Sequence, residues 1–216
     1  MPSKSIINTK VSGIQPVYFG IDPSLSGFGI AIINKNTQTI ILDELKADDH
    51  HNFIMMCWAI ENMYNDFIER YQWFLNEHTC IAQELPISAG INSGKLNALG
   101  IYFYSNLGHL SKYQNIKVYH PIKLKSFHHK KKYDKKDTMI VVDDVLNMFR
   151  KIGYTIDIRY SRTKKSSQIT NNEADAMMYA IKTYIDRNPD SYVTRDILEK
   201  YPRFSVIISL NEEKSI

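Results

Sequence analysis

Short apolar runs broken by turn residues open the chain. Val17–Asp22 (VYFGID) and Phe28–Asn34 (FGIAIIN) are rich in β-formers and flank Pro23, Ser24, Ser26 and Gly27. Thr39–Leu45 (TIILDEL) follows a turn at Asn36-Thr37. Strand, turn, strand, turn, strand predicts an antiparallel meander. The spacing then changes. Phe53, Cys57, Ile60, Met63, Tyr64, Phe67, Tyr71 and Phe74 recur every three or four residues, which predicts a long amphipathic helix over 53–75. Its aromatic side is expected to be core or a dimer surface. Residues 80–85 (CIAQEL) predict a fourth strand ending at Pro86, 86–94 (PISAGINSG) a loop and 95–113 a second helix. A fifth strand is expected at 115–120 (NIKVYH), a basic loop at 121–133 and a third helix at 134–151, with Met139, Val142, Val145, Leu146 and Phe149 inward. Residues 153–171 are polar and poorly patterned. A fourth helix covers 172–185, and the tail adds a helix at 194–201 and a strand at 204–210. The order implies an α/β fold: a mixed five-stranded sheet, three strands in a meander and the later ones parallel, flanked by helices. Residues 1–15 read as a loose arm, 16–187 as one domain and 188–216 as an extension.

Composition narrows this picture only slightly. The 216 residues suffice for one sizeable core, and 44% hydrophobic with 23% charged residues is an ordinary globular balance. Cys57 and Cys80 lie in apolar surroundings and read as small core residues of a reduced, intracellular protein. No Cys/His spacing suggests zinc. The first residues carry no long apolar core, and no stretch approaches the roughly 20 apolar residues of a membrane span. The expected location is cytoplasmic and nucleoid-associated, or the host cytoplasm if the chain is viral, with no membrane partner.

Three acidic points carry the candidate chemistry. Asp22 ends the first strand and opens a turn, and Glu84 repeats that pattern at the end of the fourth. If these strands are parallel neighbours, the two carboxylates lie side by side where ligands of open α/β sheets bind. The third point is NNEADAMMYA, in which Asn172 and Asp175 share a helix face. Ala174, Met177, Met178 and Ile181 face inward, and the small Ala174 and Ala176 let that helix approach the sheet closely. Asp22, Glu84 and Asp175, with Asn172 or Glu173, make an oxygen-rich set that favours Mg²⁺ or Mn²⁺. Taken singly, each acid is as well explained by a turn, a cap or a solvated surface.

The net charge of +4 is unevenly placed. Lys123, Lys125, His128, His129, Lys130, Lys131, Lys132, Lys135 and Lys136 crowd one stretch, and Arg159, Arg162, Lys164 and Lys165 form a second. Such runs are often merely solvated. Set between the second and third acidic points, they suit a polyanion whose phosphate is the reacting group.

These segments together resemble the RuvC family of Holliday-junction resolvases, of the ribonuclease H-like superfamily. FGIDPSLSGFGIAI is similar to that family's first strand and hairpin, and IAQELP to the strand bearing its catalytic glutamate. HPIKLK and YDKKDTM resemble the segment carrying two functional lysines, here Lys125 and Lys135, and EADAMMYA resembles the final helix. The likeness covers 17–185 and suits a phage or viral member. It implies a crossover junction endodeoxyribonuclease acting in recombination, repair or replication, with two Mg²⁺ ions (Mn²⁺ substituting) clamping one scissile phosphate. Asp22, Glu84, Asp175 and Glu173 would be the catalytic and metal-holding acids, with Asn172 as a further oxygen donor and Lys125 and Lys135 near the phosphate. Lys123, Lys125, Lys130, Lys131, Lys132, Lys135, Lys136, Arg159, Arg162, Lys164 and Lys165 would bind DNA. Ile87, Asn92 and Lys95 would meet the branch point. A homodimer would match the two-fold symmetry of a four-way junction. The family pattern places an acid three residues before the last Asp, and Asn172 stands there. Either Asn172 ligates through its amide or Glu173 supplies the carboxylate. The rival readings are a nuclease for other branched DNA or RNA–DNA hybrids, and a catalytically impaired junction-binding protein.

Overall fold

The computed structural model describes residues 15–23, 28–46, 53–76, 78–84, 101–102, 105–106, 116–119, 135–159 and 169–207. Its strands are β1 (Val17–Asp22), β2 (Phe28–Asn34), β3 (Thr39–Leu45), β4 (Cys80–Glu84), β5 (Ile116–Tyr119) and β6 (Thr155–Ile158). The helices are α1 (Phe53–Tyr71), α2 (Lys135–Lys151), α3 (Asn171–Arg187) and α4 (Tyr192–Lys200). The sheet order is β5-β4-β1-β2-β3-β6. β2 is antiparallel to β1 and β3, while β4, β5 and β6 each run parallel to their neighbour. β1, β3, β4, β5 and β6 therefore all end at one edge of the sheet. A meander continued by parallel strands, with helices on both faces, is the ribonuclease H-like arrangement the sequence led us to expect.

Among the described residues the sheet has six strands where the pattern gave five. β6 was missed because it is short and lies at the edge: Thr155 and Asp157 are exposed, and only Ile156 and Ile158 turn to the core. Four residues of half-buried alternation do not stand out from a polar stretch.

Strand alternation sorts the buried side chains into two layers. Val17, Phe19, Ile21, Phe28, Ile30 and Ile32 join Ile60, Met63, Phe67 and Tyr71 of α1 on one face. Phe67 sits edge-on to both Phe19 and Phe28, so the inner aromatic stripe of α1 is core. Cys57 departs from expectation: it is exposed on the outer side of α1, and only Cys80 is buried. The sequence places it one turn before Ile60, but the helix turns it to solvent. α1 ends at Tyr71, and the predicted last turn continues as a 3-10 turn over Gln72–Phe74.

On the other face α3 lies flat on the sheet and is buried from Glu173 to Ile185. Tyr18, Ala31, Ile40, Leu42 and Ala82 lie beneath it, while Val142, Val145 and Phe149 of α2 and Val193 and Ile197 of α4 pack in the same cluster. A helix enclosed on both sides has no polar stripe, which is why its sequence reads apolar nearly all round. Two glycines permit the close approach. A Cβ on Gly20 would stand 1.9 Å from the Ala176 carbonyl oxygen, and one on Gly29 would stand 2.0 Å from that of Asn172. Tyr201, Phe204 and Ile207 of the tail join this same core. The strand expected there is instead a 3-10 turn over Pro202–Val206, opened by its proline; residues 208–210 lie outside those described.

Candidate active site

Asp22 and Glu84 end adjacent parallel strands. Pairing runs to Ile21 opposite Gln83, so the next step brings the two acids level. Both lie on the α3 face, since Tyr18 and Gly20 of β1, and Cys80 and Ala82 of β4, turn that way. Asp175 reaches the same edge from α3, next to the Ala176 carbonyl that seats on Gly20. Asp22 and Asp175 are buried, and Glu84 is partly exposed.

A phenol holds one of the three. Tyr179, one turn after Asp175 and fully buried, donates its hydroxyl to Glu84 Oε2 at 2.6 Å. Burial holds that hydroxyl protonated well above the ordinary tyrosine range, and the negative charges of Glu84, Asp22 and Asp175 push it further in the same direction. One hydroxyl thus senses all three carboxylates. Tyr179 was not singled out from the sequence; its place four residues after Asp175, on the same helix face, was the available signal.

Glu173 is positioned differently. Thr170 caps α3, accepting from the Glu173 backbone N–H at 3.1 Å, while Glu173 Oε2 accepts from the Thr170 N–H at 2.6 Å. This reciprocal capping box holds one oxygen of a carboxylate that, with Asn172, was a candidate fourth ligand. Its other oxygen, Oε1, has no hydrogen-bond partner among the described residues. Burial pushes the Glu173 carboxyl up to about 7, opposed by the Thr170 N–H and reinforced by the negative charges of Glu44 and Asp43. Glu173 therefore senses β3, whereas Tyr179 senses β1 and β4.

Asn172, on the helix face of Asp175, donates its side-chain amide to Glu44 Oε1 at 3.0 Å. Glu44 is buried on β3 and was not anticipated. Asp22 pairs with Gly29 and Gly29 with Glu44, so Glu84, Asp22, Gly29 and Glu44 form one row across four strands.

Arg159 faces the opposite side of the sheet. It pairs with Asp157 at 2.9 Å and lies over the Tyr71 ring at 5.7 Å. Lys136 is exposed in the first turn of α2, which Lys135 opens. Lys123, Lys125, Lys130, Lys131, Lys132, Arg162, Lys164, Lys165, Ile87, Asn92 and Lys95 lie outside the described residues. Connectivity still bears on these stretches, because the chain leaves β4, β5 and β6 at the edge that carries Asp22 and Glu84.

The donors are oxygens only, a set chosen by hard cations such as Mg²⁺ or Mn²⁺. Among the described residues no group of three or more His, Cys, Asp or Glu side chains is placed to hold a metal ion. Among the described residues, no helix is long and apolar enough to cross a membrane.

No family model matches the sequence, and no curated protein does. Solved structures do resemble it. Thermus thermophilus RuvC in complex with a Holliday junction substrate is 15% identical, with a TM-score of 0.48 over 90% of this chain and 99% of that one. The yeast mitochondrial Holliday junction resolvase Ydc2 is 13% identical, with a TM-score of 0.47 over 89% of this chain and 85% of its own. The human cytomegalovirus terminase nuclease domain is 14% identical, with a TM-score of 0.42 over 89% and 92%. These are likenesses of shape, and none assigns an activity to this chain.

Proposed function

We propose that this chain is a divalent-cation-dependent nuclease for branched DNA, and that it resolves four-way junctions by paired phosphodiester hydrolysis. The observation that carries the reading is that Asp22 and Glu84 end adjacent parallel strands on the face covered by α3, the helix that carries Asp175 and the Tyr179 hydroxyl bonded to Glu84. Mg²⁺ or Mn²⁺ bound there would polarise a phosphate and activate water. Asp22, Glu84 and Asp175 would hold the cation through their carboxylate oxygens. Tyr179 fixes one oxygen of Glu84. Asn172 is the better fourth donor, because the Glu173 carboxylate closes the helix cap. Lys125 and Lys135 would neutralise charge developing on the phosphate. The two basic stretches, which the chain enters from this edge, would hold the DNA backbone, and Ile87, Asn92 and Lys95 would meet the branch point. The two-fold symmetry of a four-way junction suits a homodimer.

Cleavage of a synthetic four-way junction, a flap, a fork and an RNA–DNA hybrid, each with Mg²⁺ and with chelator, tests this. Symmetric paired nicks in the junction that vanish with chelator are expected. Preference for the hybrid or the flap would replace junction resolution with a broader nuclease activity. Junction binding without any cleavage would leave a binding protein.

A further inference from the structure

We infer that Glu44 is a positioning residue of this site. Its carboxylate turns the Asn172 amide so that the Asn172 carbonyl oxygen serves as a neutral ligand, and it carries, one hydrogen bond away, the negative charge that an acid at 172 would supply. The inference rests on the cation-binding reading above.

Three observations carry it. The first is the row: Asp22, Gly29 and Glu44 are successive partners across β1, β2 and β3, all on the α3 face. Strands lie about 4.8 Å apart, so Glu44 stands roughly 10 Å along the row from Asp22. The second is what fills the gap. Gly29 has no side chain, and the first turn of α3 drops into the space, bringing the Asn172 backbone against it. Asn172 therefore stands between the two acids. The third is the direction of the hydrogen bond. An ionised carboxylate accepts and cannot donate, so the Asn172 NH₂ must face Glu44. The carbonyl end is then left outside that hydrogen bond.

This accounts for the one departure from the acid-rich pattern. An aspartate at 172 would set two carboxylates at hydrogen-bond distance in a buried place, a costly arrangement. An asparagine there lets β3 hold the charge while the helix presents a neutral oxygen. Glu173 has one oxygen, Oε2, held in the capping box.

The test exchanges the charge. Glu44→Gln, Asn172→Asp and the double variant are compared with wild type in two measurements: Mn²⁺ affinity, from the electron paramagnetic resonance of the free ion, and melting temperature in chelator. Glu44→Gln should weaken Mn²⁺ binding by about 10-fold or more, the usual effect of removing a group that orients a ligand. Asn172→Asp alone should lower the metal-free melting temperature. The double variant should recover it, because the amide introduced on β3 can donate to the carboxylate introduced on α3, and should bind Mn²⁺ at least as tightly as wild type. Unchanged Mn²⁺ affinity in Glu44→Gln overturns the inference. So does a double variant that melts no higher than Asn172→Asp. Asp22→Asn and Glu84→Gln run alongside. If they too leave Mn²⁺ affinity unchanged, the cation-binding reading itself has failed, whereas the chelator melts report the Glu44–Asn172 contact alone.

Discussion

The two ends of α3 place acids on the same sheet and treat them oppositely. At its C-terminal end Asp186 takes Lys182, the Lys117 ammonium at 3.5 Å and the Tyr119 hydroxyl at 3.3 Å. Lys182 is itself 3% exposed. The charges there are matched inside the fold, as a structural ion pair requires. Toward its N-terminal half, Glu84 takes the neutral phenol of Tyr179, the midpoint of the helix, which orients a carboxylate without cancelling its charge. Asp22 and Asp175 are gathered beside it. One end uses charge to hold the helix down. The other concentrates negative charge where strand ends open, which suits an incoming cation.

The sharpest way to break this comparison is to remove one acid from each end. Asp22→Asn should reduce junction cleavage on the order of 10³-fold, leave junction binding intact and keep or raise the melting temperature in chelator. Asp186→Ala should do the reverse. It strands the buried Lys182 ammonium at a cost of about 3–5 kcal/mol, while turnover per folded molecule stays unchanged. Cleavage assays beside urea melts read both. A large activity loss per folded molecule in Asp186→Ala would erase the distinction between the ends.

Gly20→Ala acts on both ends at once. The added methyl meets the backbone of α3 at Ala176, which has no rotamer to yield. A loss of about 3 kcal/mol is expected, at the upper end of overpacking costs, with Mn²⁺ binding falling in step. Full stability in a urea melt would show that α3 can ride higher on the sheet than described.

How much of this was legible beforehand follows from how local each signal is. β1, β2 and β3 were bounded correctly because their apolar runs stop at turn residues a few positions away. Asp22 and Glu84 were found because a lone acid at the end of an apolar strand stands out in its own segment. Glu44 was not, because its reason for being buried is Asn172, 128 residues later. In TIILDEL it reads as an ordinary surface residue near a strand end. Gly20 and Gly29 likewise meet their partners only through α3. For Glu173 the signal was present: Thr170-Asn171-Asn172-Glu173 is a capping-box pattern. That pattern accounts for one of its two oxygens.

Tyr179→Phe sharpens the comparison within the active end. It keeps the ring against Tyr119 and deletes only the hydroxyl that fixes Glu84. Turnover should fall about 10-fold, as when the partner that orients a ligand is lost. Stability should change by no more than about 1–3 kcal/mol. Equal turnover would mean that Glu84 is held by its strand alone.

The smallest effect is expected at a third acid, remote from both ends. Asp144, on the outer side of α2, accepts from Lys200 at 2.6 Å and from the Tyr201 hydroxyl, tying α4 and the tail to the core. The Lys200 and Tyr201 hydrogen bonds hold its carboxyl below the usual aspartate range, against a smaller opposing effect of burial. A carboxyl depressed on folding contributes stability above its unfolded pKa and loses that contribution as pH falls through the folded value. With Lys200 half exposed, the link contributes about 1 kcal/mol at neutral pH. Asp144→Asn should therefore unfold at lower urea than wild type at pH 7, and the gap should close as pH drops below the ordinary carboxylate range. Junction cleavage should not change at any pH where both proteins are folded. A gap that persists undiminished in acid would assign the link to packing of Tyr201 rather than to the carboxylate. In that case the charge at 144, unlike the charges at either end of α3, has no measurable role.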